Sequence, residues 1–396
     1  MNCRVCTSKD VVEVMSIPPI PLVGEFTKSP NLTPENFPIT VLHCQHCKVL
    51  QILENIDSGR LFKEYSFSSS TVLGLVRHFS QYADWLWENY RPQRFLEIGC
   101  NDGVLLSPLR EKGVQVFGLD ISENIGDLAR AKGLDVRSAK FCFEDVEQIR
   151  SWISDVDFIS ASNTFPHNDD PNGFLKTAFE LLTSDGRLAL EVMYAGSLQS
   201  SLQWDTIYHE HLHFHSLESL QNLLTNHGFT IEHAEIVPMH AGSLRVVASK
   251  SKSAIEGDSV LTLLKSERES GLNSLSNWKD FANSCWNSIA VLHDNLSAAS
   301  QNGQVWAYGA AGRATMWLKV AKLDFVEKVI DASPLRANHY MPGSDIPIVE
   351  PSALDNVGEN VTVFVTAWNY HEGIRAQHPN FRGKWVVPLP TYTEYK

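Results

Sequence analysis

The chain has 396 residues, too many for one ordinary domain, so two or three domains are expected. Its 43% hydrophobic and 20% charged residues fit a soluble globular protein with sizeable cores, while a formal charge of −13 argues against a nucleic-acid-binding surface. No window approaches the roughly eighteen uninterrupted apolar residues of a membrane span, and "MNCRVCTSKD" lacks the apolar stretch of a secretory signal. With seven cysteines, an odd number, a reducing cytoplasm is expected rather than a disulfide framework.

Cys3-x-x-Cys6 and Cys44-x-x-Cys47 come first in the chain. Two such knuckles offer four thiolates to a tetrahedral ion, so a structural Zn2+ is expected on Cys3, Cys6, Cys44 and Cys47. Unrelated buried or redox thiols are the alternative. His43 and His46 flank the second pair, but four sulfurs already close the sphere. A segment of about 60 residues has little core, and a metal would supply much of its folding energy. The intervening "SIPPIPLVGEF" reads as irregular.

"RFLEIGCNDGVLLSPLREKGVQVFGLDIS" reads as strand, glycine turn, helix and strand. Phe95–Ile98 leads to Gly99, Asp102-Gly103 opens the helix, and a strand from Val114 to Leu119 delivers Asp120. An acidic residue about twenty positions after the turn is placed to bind a ribose diol. The turn is not G-x-G-x-x-G. Its E-x-G-x-x-x-G pattern resembles the nucleotide-binding turn of class I S-adenosylmethionine (SAM) methyltransferases, with a purely structural turn as the alternative. Cofactor contacts are expected from Glu97, Gly99, Asn101, Asp102, Asp120 and Asn163.

"VDFISASNTF" then reads as a strand, "PNGFLKTAFELLTSDG" as a helix closed by Gly186, and "RLALEVM" as the next strand. "FTIEHAEIVP" and "GSLRVVASK" form a closing antiparallel pair. Between "RLALEVM" and this pair lies "WDTIYHEHLHFHS". His209-Glu210-His211-Leu212-His213 satisfies H-E-x-x-H, but a zinc protease needs that motif inside a helix. Ile207, Tyr208 and Phe214 are poor helix formers, and the helical pattern starts only at Ser216, which can N-cap it. In extended geometry the alternating histidines share a face. A loop of substrate-facing acid–base groups is the better reading, with His213 and His215 as hydrogen-bonded loop residues. In open α/β sheets ligands bind beyond the carboxyl ends of strands, where "NTFPHNDD" and this loop both fall.

A largely helical stretch from about Ser253 to Ser300 precedes "QVWAYGAAGRATMWLKVAK", a strand, glycine turn and helix in which Gly309 and Gly312 open the helix. Its N-terminus with Arg313 would bind a phosphate. A Rossmann-like half that binds nothing is the alternative. "VEKVIDAS" ends a second strand at Asp331, and "NVTVFVTAWN" is a third. His339, Tyr340 and Pro342 lie in a loop placed to close over the site.

Together the two CxxC pairs, "LEIGCNDG", "SNTFPHNDD", "YHEHLHFHS" and "YGAAGRATMWL … VIDASPLRANHYMPGSDIPI" resemble the sugar C-methyltransferases that modify nucleotide-linked deoxy sugars. The resemblance implies an α/β protein with a zinc-binding module (residues 1–64), a central SAM-binding Rossmann-like domain (65–252) and a helical linker with a C-terminal Rossmann-like domain (253–396). It implies a nucleotide-linked keto sugar between the last two domains and His211 as the base, with Tyr208, Glu210 and His167 lining the sugar pocket. Methyl transfer to a ring carbon, C-3, beside the ketone follows, by enolisation that an imidazole titrating near neutrality suits. Further substrate contacts are expected from Tyr65, Phe67, Gly309, Arg313 and Tyr340, in a monomer. Where the family often has two tyrosines one residue apart, this chain has Tyr65-Ser66-Phe67, so the second ring lacks its hydroxyl. An O- or N-methyltransferase of another metabolite is the alternative.

Overall fold

The computed structural model describes residues 2–62, 65, 67–355 and 357–396, and these build three sheets. The expected boundary after residue 64 lies outside the described residues. The first sheet is antiparallel: Val11–Ile20, Phe37–Cys44, Leu50–Ile52 and, from far along the chain, His213–Phe214. The supposedly irregular "SIPPI" is thus strand. It lies at the sheet edge, and Pro18 and Pro19 fall in the register irregularity between Ile17 and Ile20, where missing N–H groups cost no ladder bonds.

The central sheet has seven strands in the order Thr230–Val237, Ser243–Ser249, Leu182–Met193, Val156–Ser162, Arg94–Ile98, Gln115–Asp120 and Asp135–Ser138. Its last five members run parallel, and Ser243–Ser249 pairs antiparallel on both sides. Arg94–Ile98 has its sequence successor on one side and a later strand on the other, which makes the crevice beyond its carboxyl end a ligand site. Two local expectations shift. The helix after the glycine turn starts at Leu106, because Asn101 and Gly103 take positive φ and hold the chain in a turn. The helix from Pro171 ends at Leu181 without Gly186 as its stop. Buried Leu182 pairs at once with Val156, and residues 183–186 bulge before Arg187 rejoins the ladder opposite Phe158.

Ser216 does cap the helix Leu217–Asn226, accepting from the Ser219 N–H. Glu267, from the helix Asp258–Ser270, accepts from the backbone N–H groups of Leu217 and Glu218 at 2.6 and 3.0 Å. It does from another helix what a local capping-box glutamate would do. Gly271 and Ser274 then turn the chain into the helix Leu275–Ser300. The third sheet runs Ile348–Val349, Val326–Ile330, Gln304–Tyr308, Val361–Val365, Lys384–Val387 and Thr393–Tyr395, parallel except for the last pair. The carboxyl end of its Gln304–Tyr308 strand faces the same cleft as that of the central sheet.

Candidate active site

One wall of the cleft is the glycine turn. Gly99 has φ +68°, and a Cβ there would lie 1.9 Å from the Thr164 hydroxyl, so no other residue fits. The Asp120 carboxylate accepts from the backbone N–H groups of Asn101 and Ser122, both at 2.9 Å. Glu97 is buried, and burial together with the nearby Asp120 and Asp102 carboxylates pushes it well above the usual carboxylate range. Among the described residues, Glu97 Oε2 and Asn163 Oδ1 have no partner. These unmet acceptors line the cleft beside Asp120, so the donor set fits a ligand carrying a ribose diol and an ammonium group. Asp102 differs from expectation: it turns away from the cleft and accepts from the Ser68 hydroxyl at 2.8 Å and the Ser70 N–H at 3.1 Å.

The opposite wall is the histidine segment. Tyr208–His211 is a tight turn, closed by the His211 N–H donating to the Tyr208 carbonyl at 2.8 Å. The four histidines therefore do not share one face. His209 donates from Nε2 to the Phe37 and Pro38 carbonyls, both at 3.2 Å, and His213 and His215 are buried behind the wall. His211 donates its Nδ1–H to the Thr206 carbonyl at 2.6 Å, and His167 donates its own to the Glu210 carbonyl at 2.7 Å. A carbonyl only accepts, so each neutral ring keeps its Nε2 lone pair free. Their centroids are 4.9 Å apart, with the Tyr208 ring 4.2 Å from His211.

Burial, then the neighbouring His167, holds His211 well below the ordinary imidazole value; burial takes His167 down to about 4. The group near neutrality is not an imidazole as expected but Glu210, pushed up to about 7 by burial against the opposing pull of Arg336. Tyr208 is raised by burial and by Glu210, and stays a protonated donor. From the C-terminal domain come Gly312, Arg313, Asn369 and Tyr370. A Cβ on Gly312 would lie 3.0 Å from the Tyr208 ring, so glycine admits the close approach of the two domains. Arg313 donates to Asn369 Oδ1 at 3.2 Å and lies over the Trp368 ring.

Away from the cleft, the Cys3, Cys6, Cys44 and Cys47 sulfurs all lie within 4.8 Å of one another. Cys3–Cys47 and Cys6–Cys44 are each 3.6 Å apart. A tetrahedron with Zn–S bonds of about 2.3 Å has edges of about 3.8 Å, so the four thiols fit a zinc ion.

Three family models divide the chain. Residues 3–62 match one described as "Putative zinc binding domain", 75–234 a "Methyltransferase domain", and 238–390 a "C-methyltransferase C-terminal domain". C-methyltransferase NovU of Streptomyces niveus is 27% identical over 98% of this chain and 95% of its own length. The chain is a SAM-dependent methyltransferase, and its three matched regions together are similar to those of C-methyltransferases that carry a zinc-binding domain. Shorter stretches resemble other methyltransferases. The mitochondrial ubiquinone biosynthesis O-methyltransferase of Bos taurus is 27% identical over 35% of this chain and 42% of its own length. The SAM-bound magnesium protoporphyrin IX methyltransferase of Synechocystis PCC 6803 superposes on 45% of this chain and 81% of its own, with 18% identity and a TM-score of 0.35.

In this methyltransferase SAM is the methyl donor and the four cysteines form a structural zinc site. The fold gathers Glu97, Gly99, Asn101, Asp120, Asn163, His167, Tyr208, Glu210, His211, Tyr65, Phe67 and Arg313 on one cleft. Tyr340 and Gly309 are not on it. Tyr340 is tied to Thr27 and Pro347 by backbone pairing, and Gly309 is packed beneath Thr366 and Ala367. Arg336 and His240 are among the cleft residues that escaped the sequence reading. Arg336 donates to Asp331 Oδ2 at 3.2 Å and lies over Phe26. His240 sits at φ +50° in the turn between the closing antiparallel strands. The only local signal was "MHAG", a turn carrying a histidine, while Arg336 lay in a segment read only for its resemblance.

Proposed function

We propose that the methyltransferase alkylates the ring carbon, C-3, next to the ketone of a nucleotide-linked 4-keto deoxy sugar. The observation that carries this reading is the pair of half-buried neutral imidazoles, His211 and His167, each with Nδ1–H on a carbonyl and Nε2 free, in a cleft shared by two nucleotide-type turns. A saturated ring carbon is not nucleophilic, but a C–H beside a ketone can be enolised. His211 Nε2 takes that proton, and the C–H electron pair moves into the enolate. Protonated Tyr208 is a donor for the developing oxyanion, and Glu210 at about 7 is available as a second donor in its neutral form. When bound, SAM supplies an electrophilic methyl group to the enolate carbon. Arg313 and the start of the helix Gly312–Val320 suit the phosphates of the nucleotide. Phe67, with no hydroxyl, makes that part of the wall apolar and supports a sugar different from those of relatives with two tyrosines.

The test is incubation with a panel of 4-keto nucleotide sugars and methyl-labelled SAM. Label on carbon is expected, while label on oxygen or nitrogen, or no turnover with any keto sugar, overturns the reading. His211→Ala should keep its zinc and SAM affinity yet lose methyl transfer by about 10²-fold or more. Deuterium exchange at the ring carbon without SAM isolates the proton step. Exchange as fast as wild type would move the base to His167.

A further inference from the structure

Asp205 opens the histidine segment but does not line the cleft, and nothing in the reaction above uses it. It is fully buried between the central and C-terminal domains. Its Oδ2 accepts two indole N–H groups at 2.9 Å each, from Trp317 on the helix Gly312–Val320 and from Trp368 after the strand Val361–Val365. Its Oδ1 is buried with no partner among the described residues. The preceding Trp204 packs edge-on against Trp317, with centroids 4.5 Å apart. Well-packed apolar side chains would join two domains at least as firmly as a buried carboxylate, whose desolvation is costly. A carboxylate at this place therefore calls for another role.

That role is visible one residue on. Thr206 supplies the carbonyl that receives the His211 Nδ1–H, and it is fixed in the short turn Trp204–Thr206, where its own hydroxyl donates to Gln203. Gln203 in turn donates to the Ser197 and Ala241 carbonyls. We propose that Asp205 is a positioning residue: the C-terminal domain grips it through two indoles, and the grip holds the Thr206 carbonyl where it fixes the tautomer and orientation of His211. The helix that carries Trp317 also presents Gly312 and Arg313 to the cleft, so one buried contact registers the acceptor wall against the base. The catalytic consequence rests on His211 being the base, whereas the tautomer claim does not.

The test uses the full-length protein with isotope-labelled histidine, the His211 signal being assigned by its loss in His211→Ala. Wild type should hold His211 in the Nδ1–H form at neutral pH. In Asp205→Ala, and in the Trp317→Phe/Trp368→Phe double variant that keeps the ring packing but removes both donors, the Nε2–H form should rise to a comparable population. Methyl transfer should fall about ten-fold or more while SAM affinity by calorimetry stays unchanged. A wild-type tautomer in the folded variants overturns the proposal, whether or not turnover falls, because Asp205 then merely joins the domains. If Asp205→Ala does not fold, the tryptophan variants decide alone, singly or together. Unimpaired transfer by His211→Ala would overturn the assignment of the base and leave the tautomer result standing.

Discussion

His211 and Glu210 are neighbours in the chain, and burial moves their proton affinities in opposite directions because it disfavours whichever form is charged. The imidazole is kept neutral with its Nε2 lone pair free, and the carboxyl is kept protonated close to neutrality. The sign of the second effect is measurable. Between its ordinary value of 4.5 and about 7 the folded chain holds a proton on Glu210 that the unfolded chain has released. Its contribution to stability is thus complete below about 4.5 and is lost as the pH rises through about 7, a change on the order of 3 kcal/mol. Glu210→Gln cannot titrate. The difference in urea unfolding free energy between the two proteins should drift by that amount across the window, and parallel profiles would place Glu210 in a wetter setting.

Within the short strand His213–Phe214 and the helix that follows, the histidines outside the cleft form a directed chain. His213 Nε2–H donates to the Asn168 carbonyl at 3.2 Å, so its Nδ1 accepts from His215 Nε2–H at 2.9 Å. His215 Nδ1 is then left to face the Ser219 hydroxyl at 2.9 Å, whose single proton it shares with the Ser216 carbonyl at 3.1 Å. The chain requires both rings neutral, and burial takes His215 from 6.5 down to about 3. Below 6.5 the unfolded chain gains a proton there that the folded chain refuses until about 3, so stability falls as the pH drops through that range, by a few kcal/mol in order of magnitude. Urea unfolding at stepped pH should show this loss in wild type and a shallower one in His213→Gln/His215→Gln. Equal slopes would remove the pair as its source.

At the scale of the molecule, three domains hold one segment. The zinc domain lends it a strand, pairing Leu50 with Phe214 and Gln51 with His213, and accepts His209 on the Phe37 and Pro38 carbonyls. The central domain anchors it where the Leu212 N–H donates to the Pro166 carbonyl at 2.8 Å, and the C-terminal domain grips Asp205. Loss of the structural zinc is therefore expected to reach the cleft through this segment. Cys44→Ser, or chelation of the wild type, should raise amide exchange across residues 208–215 and lower methyl transfer about ten-fold or more, with SAM binding retained. Full activity in zinc-free protein would show that the segment needs no support from that side.

Features that depend on near neighbours were legible in the amino-acid sequence. Periodicity located most strands of the central sheet and the helices after the two glycine turns, though the antiparallel sheet of the zinc domain went unread; paired CxxC spacing identified the four sulfurs, and an acidic residue at a strand end marked Asp120. Ser216 was legible as a cap because capping spans only three residues. Tertiary structure decided what depends on distant partners and on exclusion of water. Glu267 completes the Ser216 cap from 50 residues away, Trp368 reaches Asp205 across 163, and Phe37 receives His209 across 172. Arg336 and His240 reached the cleft through loop paths that no local pattern encodes. The proton states of His211 and Glu210 were illegible for the same reason. Desolvation is the largest influence on both, and it is a property of the packed interior rather than of any stretch of chain.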